Sequence, residues 1–413
     1  MLQSPDQEHD VGPSTSLMSV VREDRAKMIA LALVGLFYSV GIAYLFLHLP
    51  NRLLIDDLYS RWYASKMLLV SGRSLYDWAN AYELVNIVGW PHAFDLRFYY
   101  PATLLFFTGP LSLLPYNTAV FIWRMLGLWC LWLSIIIFAR YPRPNLSVNK
   151  LTWLLVLMTT SVPVLQHTIY AQFNSLTAAA LALTYYALCR RQYLLAGILA
   201  GGMLFKPQVA VLPLLILLVW TALQRERRTF WIGWLIICLL LWGIPELFEP
   251  NWVMTFSQAL ASYPPVLSVV DRVWNPYQLV SLVLGLITLW LTFHLRRYPA
   301  SAINFRGLLA WGVTITALIV PIYGMLNIVL MGLVLAILLN GFAPLYPQYV
   351  NWLWVGTVGL FVAGMLAFVI PLLLTGFTGV QISSAELVYR FTLPVLLSLA
   401  ALPLIFYSKA EPM

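Results

Sequence analysis

Met28–Leu49, M-I-A-L-A-L-V-G-L-F-Y-S-V-G-I-A-Y-L-F-L-H-L, is followed closely by Ile55–Asp77, I-D-D-L-Y-S-R-W-Y-A-S-K-M-L-L-V-S-G-R-S-L-Y-D. The first stretch has the length a helix needs to cross a hydrocarbon core of about 30 Å. It is too long for a signal-peptide core, and no A-x-A-like cleavage pattern follows it, so it reads as a retained first membrane helix. The second stretch sets two adjacent carboxylates, Asp56 and Asp57, at the mouth of that helix. Acids in so oily a neighbourhood need a reason.

The rest of the chain is of the same character. Of its 413 residues, 61% are hydrophobic and 10% charged, where a soluble domain would carry about 25% charged residues. Apolar runs recur near 117–138, 151–166, 174–189, 193–206, 208–223, 229–245, 276–294, 307–320, 322–340, 351–372 and 389–407. The fold class expected is therefore an all-α polytopic membrane protein, a bundle of about twelve transmembrane helices. The 17 Trp, 22 Tyr and 21 Phe suit the interfacial belts where amphipathic rings settle. Cys130, Cys189 and Cys238 lie inside apolar runs and form neither a disulfide framework nor a metal-ligand spacing. The formal net charge of +8 is dispersed over short loops, which argues for a topology signal and against nucleic acid as a partner.

That signal orients the chain. Arg22, Arg25 and Lys27 precede the first helix. The clusters Arg140/Arg143/Lys150, Arg190/Arg191, Arg225/Arg227/Arg228 and Arg296/Arg297/Arg306 then fall on the same side, provided that 101–115 does not cross. That segment is apolar but short and bounded by prolines, as re-entrant or interfacial pieces are. With it uncrossed, most of the 24 Lys and Arg lie in the cytoplasm together with both termini. The expected organisation is a disordered cytoplasmic tail over 1–27, one membrane domain over 28–409 with an outer loop at 50–100, and a cytoplasmic tail over 410–413. Gly197 and Gly201 form a G-x-x-x-G that permits close helix packing.

From Asp56 onward the apolar spacing is helical. Leu58, Trp62 and Leu69 lie near one stripe, and Asp57, Arg61 and Ser65 at i, i+4 and i+8 form a polar face. The expectation is an amphipathic helix on the outer interface. Either acid can serve as its N-cap, where Asp is favoured, so a cap and a base are both open to the pair. The two side chains project about 100° apart on a helix, so they do not chelate by themselves, and no metal or other cofactor is expected. Lys206, at the end of an apolar run before Pro207, is costly there and marks a functional site unless it merely snorkels. Asn174 either caps the helix that follows or, with His167 and Gln172, faces a short outer turn.

Asp57–Asp77 resembles the first outer loop of a bacterial membrane glycosyltransferase family, D-F-x-x-Y-W-x-A-x-x-L-L-x-G-x-x-L-Y-D. Phe98-Tyr99-Tyr100-Pro101-Ala102 is similar to the family's aromatic-Tyr-Pro-Pro, with Ala102 for the second Pro. Ala171-Gln172-Phe173-Asn174 is similar to its Gly-Gln-x-Asn turn, with Ala171 for Gly. Ala196-Gly197 through Gly201-Gly202-Met203-Leu204-Phe205-Lys206-Pro207 resembles A-G-x-x-x-G-x-x-x-x-x-K-P, slightly shortened. The four stretches occur in order over 28–225, and the C-terminal half adds no motif. The family they resemble is glycosyltransferase family 87, of the GT-C fold, which includes polyprenyl-phosphate-mannose-dependent α-mannosyltransferases.

The resemblance implies a sugar donor on a polyprenyl phosphate, a glycolipid or cell-envelope glycan as acceptor, and an active site on the outer face of a bacterial plasma membrane. It implies inversion at the anomeric carbon, with Asp57 matching the loop acid as general base and Asp56 as substitute or orienting partner. Such a transfer also needs cations for the departing phosphate, for which Lys206, Arg61 and Arg272 are nominated. Arg97 and Lys66 are weaker candidates. His167, Gln172, Asn174 and Tyr100 are nominated for the sugar or acceptor. A transporter or flippase of lipid-linked sugars is the alternative, and it predicts acids deep within spans. A non-catalytic scaffold would leave the two acids and Lys206 without a role.

Overall fold

A computed structural model describes residues 29–30, 32–41, 44, 56–88, 96–262, 267–320, 325–375 and 392–407, with the side chains of 267–278, 325–326, 368–369 and 371–375 outside that description. The tails over 1–27 and 410–413, residues 89–95 of the 50–100 loop and residues 376–391 lie outside the described residues, as does part of the first apolar run. Among the described residues every regular element is a helix.

The outer loop contributes α1 (Asp57–Ser71) and α2 (Trp78–Val88), and α3 (Leu105–Ser112) follows a single 3₁₀ turn. Next come α4 (Tyr116–Arg140), α5 (Val148–Thr160), α6 (Val162–Ile169), α7 (Asn174–Cys189) and α8 (Tyr193–Ala200). The chain continues through α9 (Val211–Ala222), α10 (Thr229–Phe248), α11 (Trp252–Ala261) and α12 (Leu267–His294). It closes with α13 (Ile303–Ile319), α14 (Met331–Phe342), α15 (Pro347–Thr375) and α16 (Leu393–Ile405). In α14 every residue is buried, as its all-round apolar composition requires. Around it, α4, α5, α7, α9, α13 and α16 share one hydrophobic core. By contrast α10, α12 and α15 leave large apolar side chains such as Leu235, Leu247, Leu282 and Trp352 uncovered by protein, as surfaces against lipid do.

Among the described residues three helices are long and apolar enough to cross a membrane: Tyr116–Arg140, Arg225–Phe248 and Pro347–Ala367. The pair α5 and α6 makes a fourth if counted as one span bent by 56°. Pro163 lies in the first turn of α6, and its missing N–H and ring break the α5 register. The other apolar stretches with described side chains, such as Leu279–His294 of α12, are 10–17 residues long, so length and composition do not by themselves establish the twelve crossings expected. The piece Ala102–Ser112 is one of these; at 1.5 Å per residue it reaches only about 16 Å, half of a bilayer core.

A second, smaller core forms a layer over one end of the bundle. It joins Leu58, Trp62 and Leu68 of α1 to Phe98, Leu104, Trp123, Phe173, Phe205 and Trp252. Here the structure corrects the expectation of an interfacial amphipathic helix. Arg61 and Ser65, assigned to a polar face at the interface, are buried, while Leu69 and Val70 are exposed. The cause is α3, which folds against α1: Ser65 donates to Thr108 Oγ1 at 2.7 Å and the Trp62 indole donates to the Leu111 carbonyl at 3.0 Å. The hydroxyl of Ser65 and the indole of Trp62 thus find in a neighbouring helix the partners that water would have supplied. Gly72 then ends α1 in the left-handed region (φ 69°) and returns its N–H to Leu68 O at 3.0 Å.

Candidate functional site

Asp56 and Asp57 divide two tasks. Asp56 has extended backbone and caps α1, its Oδ1 accepting the Tyr59 N–H at 2.9 Å. Its Oδ2 accepts the Tyr116 hydroxyl at 2.6 Å and faces Arg124 Nη2 at 3.2 Å. Only 3% of Asp56 is exposed. Burial pushes its carboxyl up to about 6, against the opposing pull of Arg124, Tyr116 and the Tyr59 N–H. Removing one partner from such a buried pair strands a charge, at about 3–5 kcal/mol.

Asp57 opens the helix with its side chain 35% exposed. Arg61, one turn on, lies 3.6 Å away, and the Gln172 amide donates to Asp57 Oδ2. The same amide's Oε1 accepts from Lys206 Nζ at 2.7 Å. Lys206 sits where α8, tightened into 3₁₀ form over Gly201–Phe205, stops before Pro207. Its backbone (φ −143°, ψ 71°) has left the helical region, which a following proline disfavours. Burial lowers its ammonium to about 8; Asp57 resists that shift and Arg61 adds to it. The Tyr100 ring lies between the two cations, 4.7 Å from the Arg61 guanidinium and 6.0 Å from Lys206 Nζ. Thus α1, the 98–104 stretch, the 170–173 turn and the end of α8 bring one part-exposed carboxylate, one amide and two cations into contact. Such a group can accept a proton and stabilise a departing anion side by side.

Of the other nominated residues, His167 touches that contact chain, its carbonyl accepting the Gln172 N–H at 3.0 Å. His167 is buried in α6, lining a small cavity with Arg124, Gly127 and Gln172. Asn174 is the first residue of α7 and buried; Phe173 holds the cap position with no side-chain capping bond, so the capping reading of Asn174 does not hold. The backbone of Arg272 lies in α12, and its side chain is outside the described residues. Arg97 donates to the Tyr76 carbonyl and to Ser262 Oγ and stacks 4.2 Å from the Trp78 ring. Lys66 lies over Trp62. Among the described residues no three His, Cys, Asp or Glu side chains gather into a metal-ligating group.

Sequence reasoning passed over Arg124, Tyr116 and Glu249. Arg124 was in plain view, a lone cation inside an apolar run, and the cost argument applied to Lys206 applies to it equally. Glu249, at the end of α10, is 4% exposed and accepts from Ser74 Oγ at 2.7 Å and the Leu75 N–H at 2.8 Å. It pins the segment after α1, and its place beside Pro250 at the edge of an apolar run was the available signal.

An apolar helical bundle with an acid, an amide and cations gathered at one end can take up a proton and hold an anion there, as group transfer requires. Residues 98–321 match the model of glycosyltransferase family 87. The chain belongs to that family and is a membrane glycosyltransferase. The match extends past residue 225, where recognisable motifs ended, and begins after the loop that carries Asp57, whose role is therefore argued from geometry. No curated protein and no solved structure matches the chain.

Proposed function

We propose that this enzyme transfers a hexose, with mannose as the default, from a polyprenyl-phosphate carrier to a glycolipid or cell-envelope glycan. The reaction belongs to the outer face of a bacterial plasma membrane, in a multi-pass GT-C-type bundle, and proceeds with inversion. Asp57 is the general base that takes the acceptor hydroxyl proton. Lys206 and Arg61, with Arg272, attend the phosphate as its charge develops, and Tyr100, Gln172, His167 and Asn174 shape the sugar and acceptor side. Asp56 orients rather than reacts.

The observation that carries this reading is the contrast between the acids. Asp57 is part-exposed and linked through Gln172 to a cation, whereas Asp56 is enclosed by Tyr59, Tyr116 and Arg124. A single displacement needs one base and one anion-stabilising group, and this cluster contains both. The transporter alternative gains nothing from it, since both Asp56 and Glu249 lie at helix ends and not near mid-span.

The test is release of polyprenyl phosphate from a synthetic polyprenyl-phosphate mannose by purified protein in lipid, with a crude envelope-lipid fraction as acceptor. Asp57→Asn is expected to lower turnover at least 100-fold, in line with the usual worth of a general base. Asp56→Asn, in protein that stays folded, is expected to retain measurable turnover. Full activity in Asp57→Asn would remove that residue from the mechanism.

A further inference from the structure

We propose that Arg124 is a positioning residue for the transfer, holding the 168–171 turn against the start of α1 so that Gln172 spans Asp57 and Lys206. The inference rests on the reading of Asp57 as base, but its structural half stands independently.

The observation is a run of four carbonyls. Thr168 and Ile169 end α6, where carbonyls lose their i+4 partners; Thr168 O keeps a turn bond from the Ala171 N–H at 3.2 Å. Arg124 Nε donates to Thr168 O at 3.1 Å and its Nη2 to Ile169 O at 2.9 Å. The next carbonyl, Tyr170, accepts the Asp57 backbone N–H at 3.0 Å. The one after, Ala171, accepts the indole N–H of Trp123, the neighbour of Arg124 on α4, at 2.9 Å. Each of four successive carbonyls is therefore held from outside the turn, by α4 or by α1.

Arg124 also reaches Asp56 Oδ2 at 3.2 Å, and both side chains are only 2% exposed. One guanidinium thus joins the carbonyl end of α6 to the residue that caps the amide end of α1. Each charge stands where the helix dipole favours it, a cation at a C-terminus and an acid at an N-terminus. A lysine carries the charge but not the planar fork that serves a carboxylate and two carbonyls together. Gln172 follows this turn by one residue, so where the turn sits decides whether its amide meets both Asp57 and Lys206.

The experiment compares wild type, Arg124→Gln, Arg124→Lys, Asp57→Asn and the double variant Arg124→Gln with Asp56→Asn, each full length in lipid. Amide hydrogen exchange over 166–174 and the first turn of α1 reads the position of the turn. Turnover of polyprenyl-phosphate mannose, as kcat and KM separately, reads the consequence. Arg124→Gln is expected to speed exchange in those two segments at least tenfold, with the α13–α14 core unchanged. Its kcat is expected to fall at least tenfold while KM for the donor changes less than threefold, and Arg124→Lys is expected to fall between. The double variant removes both buried charges, so a merely stabilising pair predicts recovered kcat, whereas positioning predicts recovered thermal stability with kcat still low. Wild-type exchange in folded Arg124→Gln, or wild-type kcat in the double variant, would overturn the proposal. If Asp57→Asn turns over normally while Arg124→Gln still loosens the turn, the base assignment falls and the clamp stands.

Discussion

Ala171 occupies the left-handed region at φ 48°, in the turn where the resembling family pattern carries glycine. A side chain there costs about 1–2 kcal/mol, and glycine's greater freedom in the unfolded chain returns about 0.5–1 kcal/mol of that. Ala171→Gly is therefore expected to stabilise the protein by up to about 1 kcal/mol, read as a raised thermal midpoint; a fall would mean that the buried methyl contributes more by packing than it costs in strain. A second residue-scale expectation concerns Lys206. Its ammonium is lowered to about 8, so the cation is intact at neutral pH and is lost as pH rises through that value. Because the charged form is the one proposed to attend phosphate, kcat/KM should fall on the alkaline side near pH 8. Lys206→Arg, which does not deprotonate in that range, should move the fall upward. A limb that stays in place in the arginine variant would assign it to another group.

At the scale of elements, α8 and α10 approach each other closely. A Cβ added at Gly197 would lie 2.0 Å from the Phe230 carbonyl oxygen, and one added at Gly233 would lie 2.1 Å from that of Leu194. Both obstacles are backbone, so neither can rotate away. Gly197→Val or Gly233→Val should push the helices apart and cost about 3 kcal/mol or more, and because α8 leads directly to Lys206, turnover should fall with stability. Wild-type unfolding in both variants would show that the helices can separate without penalty. The G-x-x-x-G at Gly197 and Gly201 announced this approach from the sequence, but its partner at Gly233 carried no such signature. The helical spacing of 57–71 was legible in the same way. Which face turned inward was not, because Ser65 is covered by Thr108 of α3 and Arg61 lies against the Tyr100 ring, and neither pairing is written in a local pattern.

For the whole molecule, composition alone announced a helical membrane protein, and four short motifs announced the family that the 98–321 match shows. Asp57, Gln172 and Lys206 were nominated separately, from a loop acid, a turn and an interrupted apolar run, and the fold sets them in one chain of contacts. Arg124 and Glu249 were not nominated, since their importance arises only where distant helices meet. The sidedness argued from Lys and Arg can be checked at two exposed positions, one in α11 and one just before α8. Cysteine at Gln258 should react with an impermeant maleimide in intact cells, and cysteine at Gln192 only after permeabilisation; the reverse pattern would invert the topology. The long reach of the contacts in the outer layer has a consequence for biosynthesis. Asp57 waits 115 residues for Gln172, and Leu75 waits 174 residues for Glu249. The loop is thus made early and finished late: a ribosome must deliver α10 before its first product, the Asp57 loop, can close, so a chain stalled short of Glu249 would display the acid without the enzyme.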